Sequence, residues 1–114
     1  MRQLLSDILI DSGHEVETAS DGKRGIEMFK RKEFDLVFTD LGMPDMSGWQ
    51  IAEKIKSINK GIPVAVITGW KVEQKEHELK ESGVDLIVHK PFRVNQVLKL
   101  VQEGMVLKEQ YNAA

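Results

Sequence analysis

The 114 residues, 41% of them hydrophobic, can furnish one core and leave no room for a second domain. A net charge of −2 from 16 basic and 18 acidic residues, with no basic run, excludes direct binding to a nucleic-acid backbone, and the lack of cysteine excludes disulfides, thiolate zinc sites and cysteine nucleophiles while being compatible with a reducing cytoplasm. No apolar run approaches the roughly 20 residues that span a bilayer, and the N-terminus lacks a secretory pattern, so the chain reads as soluble, with no membrane partner.

In chain order, Leu4, Leu5, Ile8 and Leu9 recur at helical spacing and Gly13 marks a stop, so the chain opens inside a helix. His14 to Ala19 alternates and reads as a strand. Ser20-Asp21-Gly22 turns into a helix carrying Ile26 and Phe29 inward, with Asp21 as its N-cap. Leu36, Val37 and Phe38 form a continuous apolar run too short for a helix, which suits a strand buried on both faces of a parallel sheet. That strand delivers Asp40 into a turn shaped by Met43-Pro44 and Gly48.

Ile51, Ala52, Ile55 and Ile58 mark the next helix, ended by Gly61 and Pro63. Val64 to Ile67 is a second continuous apolar strand, and it ends in Thr68-Gly69-Trp70. Lys71 to Ser82 is polar apart from Val72 and Leu79 and reads as a weakly anchored, mobile helix ending at Gly83. Leu86-Ile87-Val88 is the last strand, ending in His89-Lys90-Pro91-Phe92. Val94, Val97, Leu98 and Val101 then carry the last helix, and residues 104–114 read as a frayed extension or the start of a linker. Helix followed by four strand–helix repeats predicts an α/β fold with three layers: a doubly wound parallel sheet between helices.

Ligand crevices in such sheets lie beyond the carboxyl ends of the strands. Asp40, Thr68 and Lys90 all stand at those ends. Singly they have plain explanations: a turn-capping aspartate, a β-former and a solvated charge. Together they supply a carboxylate nucleophile, a hydroxyl and a cation, a set suited to phosphoryl transfer, where catalysis is mostly positioning and charge neutralisation.

At these residues the chain resembles the CheY-like receiver domain of two-component response regulators. The resemblance rests on Asp40-Leu41-Gly42-Met43-Pro44-Asp45-Met46-Ser47-Gly48, on Thr68 after an apolar strand, on Lys90-Pro91-Phe92 with a cis peptide before Pro91, and on Ala19-Ser20-Asp21-Gly22. It implies a cytoplasmic, non-enzymatic phosphorelay module catalysing only its own phosphorylation. Asp40 would accept a phosphoryl group from the histidine of a sensor kinase or phosphotransfer protein and switch an output domain or partner. It further implies Mg2+ held by Asp40 and the Gly42 carbonyl, Lys90 paired with the phosphoryl group, Thr68 moving to hydrogen-bond it, and Trp70 bordering it.

Two departures stand out. Receivers open with a central strand ending in an acidic pair that completes the magnesium site, and this sequence begins after that point. One carboxylate and one carbonyl make a poor octahedral site, and Asp7 and Asp11 lie on the solvated face of the first helix. Ile87 stands where the family usually has an aromatic switch residue. With four strands of the order 2-1-3-4-5 and the central one absent, the chain is expected either to pair the Val16 strand directly on the Leu36 strand or to fill the slot through another chain, with self-association preferred.

Other readings carry less. His14, His77 and His89 lack ligand spacing for a metal. A flavin-binding relative would need a phosphate cradle that Ser20-Asp21-Gly22 does not provide. A phosphorylation-silent interaction module is the alternative that the missing acids and Ile87 motivate. Trp49 is expected to pack its helix and Trp70 to lie exposed, available to a partner.

Overall fold

The computed structural model describes residues 2–40, 45–69 and 80–113. Within them the order is α1 (Arg2–Asp11), α2 (Gly22–Arg31), β1 (Val37–Asp40), α3 (Gly48–Ile58), β2 (Val64–Thr68), β3 (Leu86–His89) and α4 (Val94–Asn112). The weak helix expected over Lys71 to Ser82 lies largely outside the described residues, of which Lys80 and Glu81 are helical.

Local chemistry sets most of the boundaries. Gly13 adopts φ +91, the His14 amide donates to the Leu9 carbonyl and the Gly13 amide to that of Ile10, so α1 closes in a Schellman motif that needs this glycine. Asp21 accepts from the Arg24 amide at 2.8 Å and caps α2. Ser47 and Gln50 form a reciprocal capping box at the start of α3.

The three strands pair in parallel in the order β1-β2-β3, with Val37 opposite Val64 and Ala65 opposite Leu86. Alternation along them sorts the core into two layers. Val37, Val64, Val66 and Ile87 face Phe29, Ile51, Ala52 and Ile55 of α2 and α3. Leu36, Phe38, Ala65, Ile67, Leu86 and Val88 face the opposite way, toward α1 and α4. All five residues of β2 are buried, which is why its sequence is apolar without alternation.

Five expectations are corrected. Residues 14–19 form no strand: they carry no regular secondary structure and are mostly exposed, Val16 touching the α1–α4 layer. A strand needs a pairing partner for its backbone, and among the described residues none lies beside this segment. The sheet does not close by setting the Val16 segment on β1. A cleft of about 760 Å3 separates them, lined by Leu5, Val16, Phe29, Phe38 and Val101 among others. The described sheet therefore has three strands, not four.

The last corrections concern helices. Residues past Gly104 do not fray: α4 continues to Asn112, tied by Lys108 to Asp35, Tyr111 to Asp85 and Asn112 to the Gly61 carbonyl at 3.2 Å. Leu4, Ile58 and Val94, read as inward-facing, are 55%, 40% and 54% exposed. Each sits at or near a helix end.

Candidate functional site

Asp40 closes β1 opposite Ile67, and Thr68, one residue further along β2, stands opposite His89. The Lys90 amide donates to the Thr68 carbonyl at 2.8 Å, so the strand pairing itself carries Lys90 to the same edge. The Lys90–Pro91 peptide is cis, as read from the sequence. From there the Lys90 ammonium reaches the Asp40 carboxylate, Nζ to Oδ2 at 2.7 Å. The two side chains are about one-third exposed, which leaves the carboxylate open to an incoming group while a cation already stands against it.

Thr68 is 1% exposed and accompanies the pair along the edge. Ile87 opposes Val66 and packs on the α2–α3 layer. Trp49 is half-buried against that layer, consistent with a packing role. Gly42 and Trp70 lie outside the described residues.

One residue of the site escaped the sequence reading. Asp45, on the loop after Asp40, accepts from the Gly22 amide at 3.0 Å and the Lys23 amide at 3.1 Å. It thus caps α2 from a distance of more than 20 positions in sequence, and a Cβ on Gly22 would stand 3.1 Å from Met46 Cβ and from Ile51 Cδ1. The Gly22 amide, followed by other backbone amides, holds the Asp45 carboxyl below its ordinary value. Because the pairing is long-range, only the Asp-Gly chemistry of Asp21-Gly22 hinted at an anion-accepting helix start.

As for magnesium, Asp40 offers one carboxylate, already engaged by Lys90, and among the described residues no three His, Cys, Asp or Glu side chains gather as a metal site. Octahedral oxygen coordination asks for more donors than that. The donor set here does not by itself fit the ion. Among the described residues no helix is long and apolar enough to cross a membrane.

Comparison with known proteins identifies the family and the fold. Residues 1–102 match the response regulator receiver domain. The chain is 30% identical over 105 residues to the sensor histidine kinase RcsC of Escherichia coli K12, covering 90% of this chain and 11% of that protein. It is 32% identical over 105 residues to the virulence transcriptional regulatory protein PhoP of Salmonella typhimurium 14028s, covering 92% and 47%. Among solved structures, the chemotaxis protein CheY4 of Vibrio cholerae superposes with TM-score 0.85 at 32% identity, covering 90% of this chain and 88% of that one. A CheY-like receiver domain protein from Methanospirillum hungatei JF-1 superposes with TM-score 0.88 at 25% identity, covering 95% and 86%. The chain therefore has the CheY-like α/β fold and belongs to the response regulator receiver domain family.

Proposed function

We propose that Asp40 is a phosphoacceptor, taking a phosphoryl group from the histidine of a sensor kinase or phosphotransfer protein and switching an output domain or partner protein. The observation that carries this reading is the 2.7 Å pair between Lys90 Nζ and Asp40 Oδ2 at the carboxyl edge of a parallel sheet. In the transfer, an Asp40 oxygen attacks phosphorus as the bond from phosphorus to the histidine nitrogen breaks, leaving an acyl phosphate on Asp40 and a free imidazole on the donor. Lys90 neutralises charge on the transferring group, and Thr68, one strand over, supplies a hydroxyl that can hydrogen-bond the product. The chain acts on itself alone and turns over no external substrate. No step is assigned to magnesium.

Incubation with a small phosphodonor followed by intact-mass measurement tests the assignment. One added phosphoryl group, absent in Asp40→Asn, is expected; labelling of that variant would remove Asp40 from the role.

The absence of a three-ligand acidic cluster among the described residues favours a second reading, a phosphorylation-silent interaction module. That reading predicts no adduct under any donor and no response of Trp fluorescence to magnesium.

A further inference from the structure

Asp21-Gly22 is the dipeptide from which a backbone most readily closes a five-membered ring, because glycine has no Cβ to hinder the approach. The Gly22 nitrogen attacks the Asp21 side-chain carboxyl carbon. An N–C bond forms as the C–OH bond breaks, and the hydroxyl leaves as water with the amide proton. Water then opens the succinimide. Attack at the side-chain carbonyl restores aspartate, and attack at the main-chain carbonyl leaves isoaspartate, with the chain now running through the side-chain carbon. Water is the only co-reactant.

The fold requires both residues of this labile pair. Asp21 caps α2 through the Arg24 amide, and position 22 must be glycine because Met46 and Ile51 close on it. The Asp21 side chain is 36% exposed, so water reaches the carboxyl. What restrains the ring closure comes from another part of the chain. Asp45 Oδ1 accepts from the Gly22 amide at 3.0 Å and Oδ2 from the Lys23 amide at 3.1 Å.

That fork opposes the reaction in two ways. The ring needs the Gly22 nitrogen to eclipse the Asp21 Cβ, whereas at ψ 168 it stands gauche to it. Reaching the eclipsed position swings the Asp21–Gly22 peptide plane, whose N–H Asp45 pins. The attacking species is also the deprotonated amide, and a carboxylate oxygen 3.0 Å from that nitrogen disfavours negative charge on it. The Asp21 carboxylate is itself turned forward, to the Arg24 amide at 2.8 Å and the Arg24 Nε at 3.7 Å.

We propose that Asp21 is a latent isoaspartate site, kept closed by Asp45 and entered when the Asp45 contact with Gly22 opens. The modification adds a methylene to the backbone at the helix start, which displaces the cap on Arg24 and the two amides that hold Asp45. Chemical ageing at Asp21 therefore unfastens the loop after Asp40. The proposal stands on these contacts and does not depend on phosphorylation at Asp40.

The test incubates the full chain at neutral pH and measures isoaspartate in the tryptic peptide that ends at Lys23, using electron-transfer fragmentation to place it at residue 21. The folded chain should isomerise at least about tenfold more slowly than the chain unfolded in guanidinium, as expected of a reaction that needs local opening. Asp45→Ala should approach the unfolded rate. Asp45→Asn, which offers one oxygen for two amides, should fall between. Asp85→Ala, which weakens the fold from the opposite pole without touching this corner, should keep the slow rate, and Asp21→Ser, which retains a cap, should give no product at this position.

Should Asp45→Ala fail to fold by far-ultraviolet dichroism, the comparison of Asp45→Asn with Asp85→Ala decides in its place. Equal rates in the folded and unfolded chain would overturn the proposal. So would folded Asp45 variants that isomerise no faster than the unaltered chain, or equal acceleration by Asp85→Ala, since global unfolding and not the Asp45 contact would then control the site.

Discussion

Tyr111, near the end of α4, donates its hydroxyl to Asp85, the residue just before β3, and so fastens the last helix to the pole of the sheet away from Asp40. Desolvation first, and the Asp85 hydrogen bond and charge second, push the Tyr111 phenol up from 10.0 to about 12. Tyr111 is the only tyrosine in the sequence, so its ionisation can be followed alone by ultraviolet absorbance. The folded protein holds the phenolic proton more tightly than the unfolded chain. The stabilisation is therefore complete below pH 10 and is lost as the pH rises toward 12. Titration should give a midpoint well above 10 that Asp85→Asn lowers; an ordinary midpoint in the unaltered protein would refute the contact.

Asp85 has more than one partner. It accepts from the Val64 amide at 2.7 Å and pairs with Lys56 at 2.8 Å, with only 17% of the Lys56 side chain and 10% of the Asp85 side chain exposed. The Lys56 ammonium also donates to the Ile62 carbonyl at 2.9 Å and lies 4.9 Å from the Tyr111 ring centroid. Removing the carboxylate strands a largely buried cation and a strand-end amide together. Asp85→Ala should cost about 3 kcal/mol in urea unfolding, whereas Asp35→Ala, which breaks the more exposed pair with Lys108, should cost no more than ~1 kcal/mol. Equal costs would show that burial does not set the difference.

How far the sequence could reveal these features depended on how local their causes are. Asp21 is satisfied within a turn and reads correctly as a helix start, whereas the Ser47–Gln50 box, equally local, was not read from the sequence. Asp40, Thr68 and Lys90 were legible because continuous apolar runs fix where three parallel strands end. Val16 shows the limit of such patterns. Its segment alternates like a strand, yet strand character belongs to a pair of segments, and among the described residues no partner stands beside this one. The last turns of α4 were misread for a related reason: their support from Asp35, Asp85 and Gly61 arrives from 26 to 73 positions away, and periodicity carries no trace of it.

Asp45 couples the loop after Asp40 to the start of α2. Its carboxyl is held below 3.8 by the Gly22 amide and its neighbours, so the anion is favoured in the folded state. The contribution is present above pH 3.8 and is lost as the pH falls through the lower folded value. Asp45→Asn should thus lower stability at neutral pH and flatten the acid limb of the stability profile in urea titrations below pH 4. An unchanged acid limb would mean that the Gly22 and Lys23 contacts contribute nothing there.

Lys90 and Asp40 separate structure from signalling. Their pair is about one-third exposed, and pairs of that kind contribute only ~0.2 to 1 kcal/mol. Lys90→Ala should therefore leave the unfolding midpoint nearly unchanged. Under the proposed function it should also keep the mass adduct, because the nucleophile remains on Asp40, while the movement that follows weakens: without the ammonium, no cation ties the new charge at Asp40 to the β3 end and the segment beyond it. Asp40→Asn should abolish adduct and movement together. Two measurements on the same samples suffice, intact mass for capture and Trp fluorescence for the structural response, with Trp49 packed beside the α2–α3 core as a reporter. Lys90→Ala should retain the adduct and lose most of the fluorescence change. Equal loss of adduct in both variants would instead make Lys90 part of the capture step itself.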